Sequence, residues 1–140
     1  MAITNKEEGV WSIDQVYNKQ NQGSIWEYSP LRQLWMVGRN TNGGLGQNQN
    51  ENNVTCYSSP VQVPGTTWVA GTSTTNYSTL GLKTDNTLWA WGGNGYGQLG
   101  LNNNTQYSSP VQIPGTTWDT VSSFGYGTMA IKTTLTPSQL

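Results

Sequence analysis

The sequence predicts an all-β protein made of two copies of a four-stranded unit and one extra strand. The chief observation is an internal duplication: residues 57–68 match residues 107–118 at all but one position, and residues 34–40 share Leu-Trp, Gly and Asn with residues 88–94. The second observation is composition, since 17 Gly, seven Trp and seven Tyr in 140 residues suit short strands and tight turns. A period of roughly 50 residues built from short β-type runs is typical of a propeller-like array.

Residues 1–23 stand outside the repeat, and part of this segment has the pattern of a short helix. Ser12 could cap the helix and Gly23 could end it, and apolar side chains recur at three- and four-residue spacing: Ile13, Val16 and Tyr17. A helix of one or two turns is marginal alone, so we expect it to dock, either on the protein's own repeats or on another protein. We treat residues 1–23 as an N-terminal anchor segment.

The strands are predicted to begin at Ser24, as a hairpin that occurs in both copies. Residues 24–29 and 33–38 form the first hairpin, and residues 77–84 and 87–92 form the second around a two-residue Asp-Asn turn. Asn tolerates the positive φ that such turns require. Strand alternation places Leu80 and Leu82 on one face of their strand, and Trp89 and Trp91 together on one face of the next.

The remainder of the repeat supplies a loop and two further strands. Residues 92–100 are rich in Gly and allow tight turns and close backbone approach, and a polar loop follows. Residues 110–114 form a short strand bracketed by two prolines, as at a sheet edge, and residues 116–122 form the predicted fourth strand. Four strands are the content of one propeller blade. We therefore predict a repeat domain over residues 24–140, divided into blade one (24–72), blade two (73–123) and an extra strand with the tail (124–140).

Composition excludes several classes of function. Charged residues make up only 9% of the chain and the net charge is −1, which argues against nucleic acid or an anionic membrane as a partner. The chain has no His and one Cys, Cys56, so Ser-His and Cys-His nucleophiles and the usual zinc sites are excluded. The Gly-rich residues 92–100 lack the Gly-Lys-Ser/Thr ending of a phosphate-binding loop. We expect no enzymatic activity, catalytic residue, metal or cofactor.

The N-terminal residues contain no apolar run that could serve as a signal peptide or a membrane span. We therefore expect synthesis in a reducing cytosol and no insertion into a membrane.

Several separated motifs resemble the regulator-of-chromosome-condensation type repeat: residues 77–84, 87–92, 93–100 and 109–113. The resemblance covers roughly residues 24–133 and implies β-propeller blades. That family usually has Gly-x-x-His-Thr before the Leu-containing strand, whereas here the His position is Ser78 in one copy and Gly127 in the other. Local strand packing is therefore expected to differ.

The number of repeats is the larger departure from that family. The family usually closes a ring of about seven repeats in one chain, and two blades cannot close a ring. Met129 and Ile131 are therefore expected beside an exposed sheet edge, which is a template for pairing with another chain. Two arrangements satisfy this: a homo-oligomer, with a trimer as the leading expectation, or an edge covered by different proteins. The alternative is a self-contained two-sheet sandwich with the tail folded back.

A second resemblance concerns residues 8–19 with 23–28, which look like the N-terminal segment of virion-associated proteins of tailed bacteriophages. It implies a virion component assembled in the host cytoplasm, such as a fibre, appendage or decoration protein, with other virion proteins as partners. The side chains expected to make anchoring and assembly contacts are Trp11, Ile13, Val16, Tyr17, Trp26, Met129 and Ile131.

Two functional hypotheses follow. The first is a non-enzymatic structural virion protein. The alternative is a receptor- or glycan-binding module that uses Asn-rich loops and aromatics, since loops on a rigid β scaffold commonly carry recognition and Trp and Tyr rings can stack on sugars. Tryptophans at strand positions are more often part of a core. Nucleotide exchange on a small GTPase would rest on the family name alone, and we discount it.

Overall fold

The computed structural model describes residues 31–69 and 73–135, with the backbone alone for residues 73–75. These residues form strands and one turn of 3-10 helix, in the order β1 (Trp35–Arg39), the 3-10 turn (Thr41–Gly43), β2 (Cys56–Gln62), β3 (Ser73–Thr75), β4 (Ser78–Leu82), β5 (Leu88–Gly92), β6 (Tyr107–Gln112), β7 (Trp118–Phe124) and β8 (Gly127–Lys132). The all-β prediction is confirmed. In these two ranges no helix has the length and apolar character needed to cross a membrane.

The predicted N-terminal helix, the predicted strand at residues 24–29, and five of the predicted contact side chains lie outside the described residues: Trp11, Ile13, Val16, Tyr17 and Trp26.

The strands form three antiparallel sheets. The first contains β1 and β2, the second has the order β3-β4-β5-β6, and the third contains β7 and β8. The turn between β4 and β5 is the predicted Asp-Asn turn, and Asn86 takes a φ of 62° there. Each of these sheets is antiparallel because consecutive strands are joined by short turns or by polar loops.

Strand pairing repeats in register between the sheets. Met36 faces Val61 in the first sheet as Ala90 faces Val111 in the second, and each pairing has a register shift just before Gly38 or Gly92. Both glycines have positive φ, 116° and 96°, which lets the strand bulge at this point. The β1–β2 pair and the β5–β6 pair are therefore equivalent parts of the repeated unit.

The other half repeats as well. β7 pairs with β8 with Ser122 opposite Met129, as β3 pairs with β4 with Ser73 opposite Leu80. β7 and β8 are thus the counterparts of β3 and β4, while β1 and β2 are the counterparts of β5 and β6.

The predicted fourth strand of the second repeat, residues 116–122, lies in a different sheet. It appears as β7, which pairs with β8 and not with β6, so the four-stranded sheet runs from residue 73 to residue 112. Gly115 and Thr117 have positive φ, 104° and 68°, and they turn the chain out of the second sheet. The extra strand at the end, β8, is accordingly paired within the chain to β7.

The two central strands of the second sheet, β4 and β5, are buried on both faces and form the centre of the core. On one face Leu80, Leu82 and Leu88 cluster with Leu99 against partly buried residues of the third sheet: Trp118, Val121 and Ala130. The predicted common face of Leu80 and Leu82 is confirmed.

The opposite face of the second sheet carries the tryptophans. Trp91 is fully buried and clusters with Val63 and Trp68, with Met36 of the first sheet packed against them. The rings of Trp68 and Trp91 meet edge to face with centroids 5.7 Å apart, an arrangement that the ring quadrupoles favour. Trp89 lies on the same face, as predicted.

Candidate interaction surfaces

A buried asparagine organises each long loop. The side chain of Asn94 is fully buried, and its Nδ2 donates to the carbonyl oxygens of Asn103 and Thr105 at 2.8 and 2.9 Å. Its Oδ1 accepts a hydrogen bond from the backbone N–H of Leu99 at 3.0 Å. One amide therefore joins the Gly-rich turn to the polar loop that follows it.

The first repeat has the same arrangement. Asn40 is fully buried, donates to the carbonyl oxygens of Gln49 and Val54 at 2.9 and 3.3 Å, and accepts from the N–H of Leu45 at 3.2 Å. Asn40 and Asn94 occupy equivalent positions of the two copies, and no role was predicted for either. The available signal was an Asn at the same position of both copies, directly after the second hairpin strand.

The loop held by Asn94 borders an exposed aromatic surface, which we call the tyrosine pair: Tyr96 and Tyr126. These side chains are 76% and 61% exposed, and their ring centroids are 4.8 Å apart at 60°. The backbone N–H of Tyr96 donates to Oε1 of Gln98, and the Thr128 hydroxyl donates to the carbonyl oxygen of Gln98 at 2.9 Å, which ties the loop to β8.

An open, polar depression of about 440 Å³ lies in the same loop and is lined by Gly97, Asn102, Asn103 and Asn104. Amide groups in the same loop as an exposed aromatic ring could bind the hydroxyls and the apolar ring face of a sugar, because the ring supplies a flat contact and the amides supply directional hydrogen bonds.

The outer faces of the first and third sheets form two further surfaces. Trp35 and Val37 project from β1 and are 52% and 56% exposed, and Met129 and Ile131 project from β8 and are 59% and 60% exposed. A depression of about 230 Å³ lies between β7 and β8 and is lined mainly by Val121, Met129, Ala130 and Ile131, with two polar residues of β7. Met129 and Ile131 thus lie exposed on the last strand, where the sequence placed them.

Among the described titratable groups, Asp85 has a structural role. Within the part of the chain that the structure describes, no three or more His, Cys, Asp and Glu side chains converge to hold a metal ion. The pKa of Asp85 is lowered, chiefly because the hydroxyl of Thr87 donates a hydrogen bond to its carboxylate at 2.6 Å. This carboxylate stabilises the β4–β5 turn, since it also accepts from the N–H of Thr87. Cys56 is an exposed free thiol.

Comparison with known proteins identifies the repeat. Residues 85–131 match a family model described as the regulator of chromosome condensation (RCC1) repeat, and residues 69–98 match a second model of the same description. The chain therefore contains RCC1-type repeats, as its motifs indicated. No curated protein sequence matches the chain.

Among solved structures, the chain is similar to human WBSCR16, with a TM-score of 0.61 and 19% sequence identity. The similar region covers 71% of this chain and 26% of that one, so this chain spans about a quarter of its length. At this identity the likeness shows the fold alone.

Proposed function

We propose that this protein is a non-enzymatic structural component of a bacteriophage virion, a fibre, appendage or decoration protein that assembles through its β-propeller-type repeats. The observation that carries the proposal is the exposure of apolar side chains on the outer sheets. Trp35 and Met129 are more than half exposed, whereas their repeat counterparts in the second sheet are half-buried Trp89 and fully buried Leu80. Faces of this kind are buried when further blades stack on them.

The virion setting is supported by the resemblance of residues 8–19 and 23–28 to the N-terminal segment of phage virion proteins. In this proposal the N-terminal segment binds another virion protein, and the repeats associate with copies of this chain. The absence of His from the sequence and the low charge support a structural role over a catalytic one.

Particle incorporation tests the virion role. We would replace the apolar residues of the anchor segment together (Trp11, Ile13, Val16 and Tyr17 to Ala) and complement a phage that lacks the native gene. Immunoblots of purified particles should show loss of the protein, while circular dichroism of the purified variant stays unchanged. A matched variant with three polar residues of the same segment changed (Gln15, Asn18 and Gln20 to Ala) should be incorporated normally. Equal incorporation of both variants would refute the anchor role.

A second candidate function is glycan binding, and the tyrosine pair favours it. Two rings held 4.8 Å apart, one of them in the same loop as an amide-lined depression, offer stacking and hydrogen bonding together. Binding to host-surface polysaccharide, measured by calorimetry, should be lost in Tyr96→Ala and Tyr126→Ala and kept in Leu135→Ala, which alters another exposed apolar side chain. Unchanged binding in both tyrosine variants would exclude this surface.

A further inference from the structure

The β3–β4 turn carries a tyrosine at the position that Tyr126 occupies in the β7–β8 turn. This residue is Tyr77, since β7 and β8 are the counterparts of β3 and β4. The side chain of Tyr77 is 52% exposed and that of Tyr126 is 61% exposed. An exposed tyrosine therefore recurs at the same turn of two successive repeats.

Each of these turns is held against the preceding Gly-rich loop by an equivalent hydrogen bond. The hydroxyl of Thr79 donates to the carbonyl oxygen of Gly44 at 2.8 Å, as the hydroxyl of Thr128 donates to that of Gln98 at 2.9 Å. Each threonine lies two residues after its turn tyrosine. The backbones of the two tyrosines are therefore fixed in the same way to their neighbouring loops.

The two turns are neighbours in space. The side-chain Nδ2 of Asn76 donates a hydrogen bond to the carbonyl oxygen of Gly125, so the residue before Tyr77 contacts the residue before Tyr126. Phe124, directly before Gly125, is 61% exposed. The exposed rings of these turns and of the adjoining loop form a surface that we call the turn face: Tyr77, Tyr96, Phe124 and Tyr126.

The distance between the two turn tyrosines follows from the packing of the sheets. The second and third sheets lie face to face, with Leu80 and Leu82 packed against Val121 and Ala130. Facing sheets are about 10 Å apart, so the backbones of the two tyrosines, at equivalent positions, are separated by about that distance. A ligand that contacts both rings must therefore be longer than a single sugar unit.

We propose that the turn face binds a neutral, linear oligosaccharide across two repeats, with the tyrosine pair as the main subsite and Tyr77 as an accessory subsite. The inference rests on the glycan-binding function proposed above and specifies the class of the glycan, its extent and a further binding residue. A ring at the same turn of successive repeats fits a polymer of repeating units, because each ring can stack on one unit.

The segments that form the turn face supply no charge to pair with a charged ligand. Residues 76–82, 93–106 and 124–131 contain no Asp, Glu, Lys or Arg. In the preceding loop the carboxylate of Glu51 accepts a hydrogen bond from the N–H of Asn42, whose side chain packs on Gly93. An anionic sugar would meet this carboxylate without a cation from these segments, whereas a neutral sugar avoids the cost of burying an unpaired charge.

Hydrogen-bonding groups of both senses lie in the same loop as one of the rings. Gly97, the residue after Tyr96, lines the open depression together with Asn102, Asn103 and Asn104. Amide groups both donate and accept, as sugar hydroxyls do. An open polar depression suits hydroxyl groups better than it suits the apolar side chain that anchors a protein partner. The site therefore favours a sugar over a protein.

The two subsites are unequal. In the repeat numbering, the position of Tyr96 is occupied in the preceding loop by Asn42, so Tyr77 has an amide where Tyr126 has a second ring. The pair presents two ring faces to one sugar unit and Tyr77 presents one. We therefore expect a disaccharide to bind at the tyrosine pair and a longer chain to reach Tyr77 as well.

Calorimetry with oligosaccharides of graded length tests this arrangement. The probes are neutral oligomers of glucose, galactose and mannose, each from disaccharide to hexasaccharide, and oligogalacturonates of the same lengths as the anionic comparison. In the full chain, a neutral series should bind more tightly as its length increases, and the oligogalacturonates should bind more weakly. Tyr77→Ala should weaken hexasaccharide binding by about twofold to tenfold, the range of one aromatic stacking contact, and leave disaccharide binding unchanged. Tyr96→Ala should weaken binding at every length.

Three variants serve as controls for this series. Tyr77→Phe keeps the ring and should keep the increase of affinity with length. Tyr77 has a φ of 66°, so Tyr77→Asn replaces the Ala variant if that one folds poorly, because Asn tolerates this conformation. Leu135→Ala changes an exposed apolar side chain outside the turn face and should alter no affinity. Circular dichroism and thermal melts establish that each variant is folded.

The outcomes separate this inference from the function on which it rests. If a neutral series binds with the same length dependence in wild type and in both Tyr77→Ala and Tyr77→Asn, or if oligogalacturonates bind as tightly, the extended neutral site is wrong and glycan binding stands. If no oligomer of any series binds, both are wrong. Light scattering tests the other occupant, a second copy of the chain: an oligomer that Tyr77→Ala dissociates would make the turn face a contact between copies and overturn the inference.

Discussion

The buried amide of Asn94 offers the most direct test of what holds the long loops in place. Replacing Asn94 by Ala removes donors to the carbonyl oxygens of Asn103 and Thr105 and the acceptor for the N–H of Leu99. The Asn94 side chain and the N–H of Leu99 are buried, whereas Asn103 and Thr105 are exposed, so the N–H of Leu99 is the group that water replaces least easily. Three lost hydrogen bonds, one of which leaves a buried N–H without a partner, should cost roughly 2–4 kcal/mol.

Urea denaturation monitored by tryptophan fluorescence would measure this loss in the free energy of unfolding. We expect an unchanged m-value and a lower urea concentration at the midpoint. Asn104→Ala is the matched control, since Asn104 is exposed in the same loop, and it should cost less than about 0.5 kcal/mol. Asn94→Asp keeps the volume and one acceptor but places a carboxylate against two carbonyl oxygens, so it should be no milder than the Ala variant at neutral pH.

The first repeat provides a graded comparison. Two of the Asn40 bonds are longer, 3.3 Å to Val54 and 3.2 Å from Leu45, so Asn40→Ala should cost less, roughly 1–3 kcal/mol. A loss below about 1 kcal/mol for Asn94→Ala, equal to that of the exposed control, would refute the view that this amide organises the loop.

Three further predictions concern single residues. Gly92→Ala should lower the free energy of unfolding by more than about 3 kcal/mol or prevent folding, because Gly92 has a φ of 96° and an added Cβ would overlap a carbonyl oxygen of the β3–β4 turn. Gly95→Ala places its Cβ in open space and should leave thermal melts nearly unchanged. Trp91→Phe should lower the free energy of unfolding by about 2–3 kcal/mol in denaturant titrations, because it removes the buried hydrogen bond of 2.9 Å from the indole to the carbonyl oxygen of Gly44 and leaves a void. Trp35→Phe, on an exposed face, should lower it by less than about 0.5 kcal/mol. Asp85→Asn tests the pH dependence of stability. The pKa of Asp85 in the folded state is lowered below its ordinary value of 3.8. The carboxylate therefore contributes to the free energy of unfolding above that value, and this contribution is lost as the pH falls through the folded-state pKa. The stability difference between wild type and this variant should therefore shrink as pH is lowered from about 6 to about 3, and a constant difference would contradict the assignment.

Local features of the repeat could be read from the residues because each depends on neighbours in the chain. The Asp85-Asn86 dipeptide predicted a turn with positive φ, and Asn86 adopts it. Alternation placed Leu80 and Leu82 on one face of their strand and Trp89 and Trp91 on one face of the next, and each pair does share a face. That the two pairs pack in different clusters follows from the strand register.

The candidate surfaces were predictable only in part. Met129 and Ile131 were expected at an exposed edge, and they project from β8 more than half exposed. The tyrosine pair was not found, because Tyr96 and Tyr126 are thirty positions apart and meet only where the Gly-rich loop reaches the β7–β8 turn.

Spacing and the backbone preferences of Gly, Pro and Asn predicted the repeat, most of its strands and turns, and the faces of Leu80, Leu82, Trp89 and Trp91. They missed β3, and they placed Pro110 at the start of a strand over residues 110–114, whereas β6 runs from Tyr107 to Gln112. The sheet that each strand joins is known only from the folded structure. Residues 116–122 have the composition of a strand in either sheet, but the positive φ of Gly115 and Thr117 takes β7 to β8. That choice depends on backbone angles and on the packing of distant side chains, which spacing along the chain does not encode.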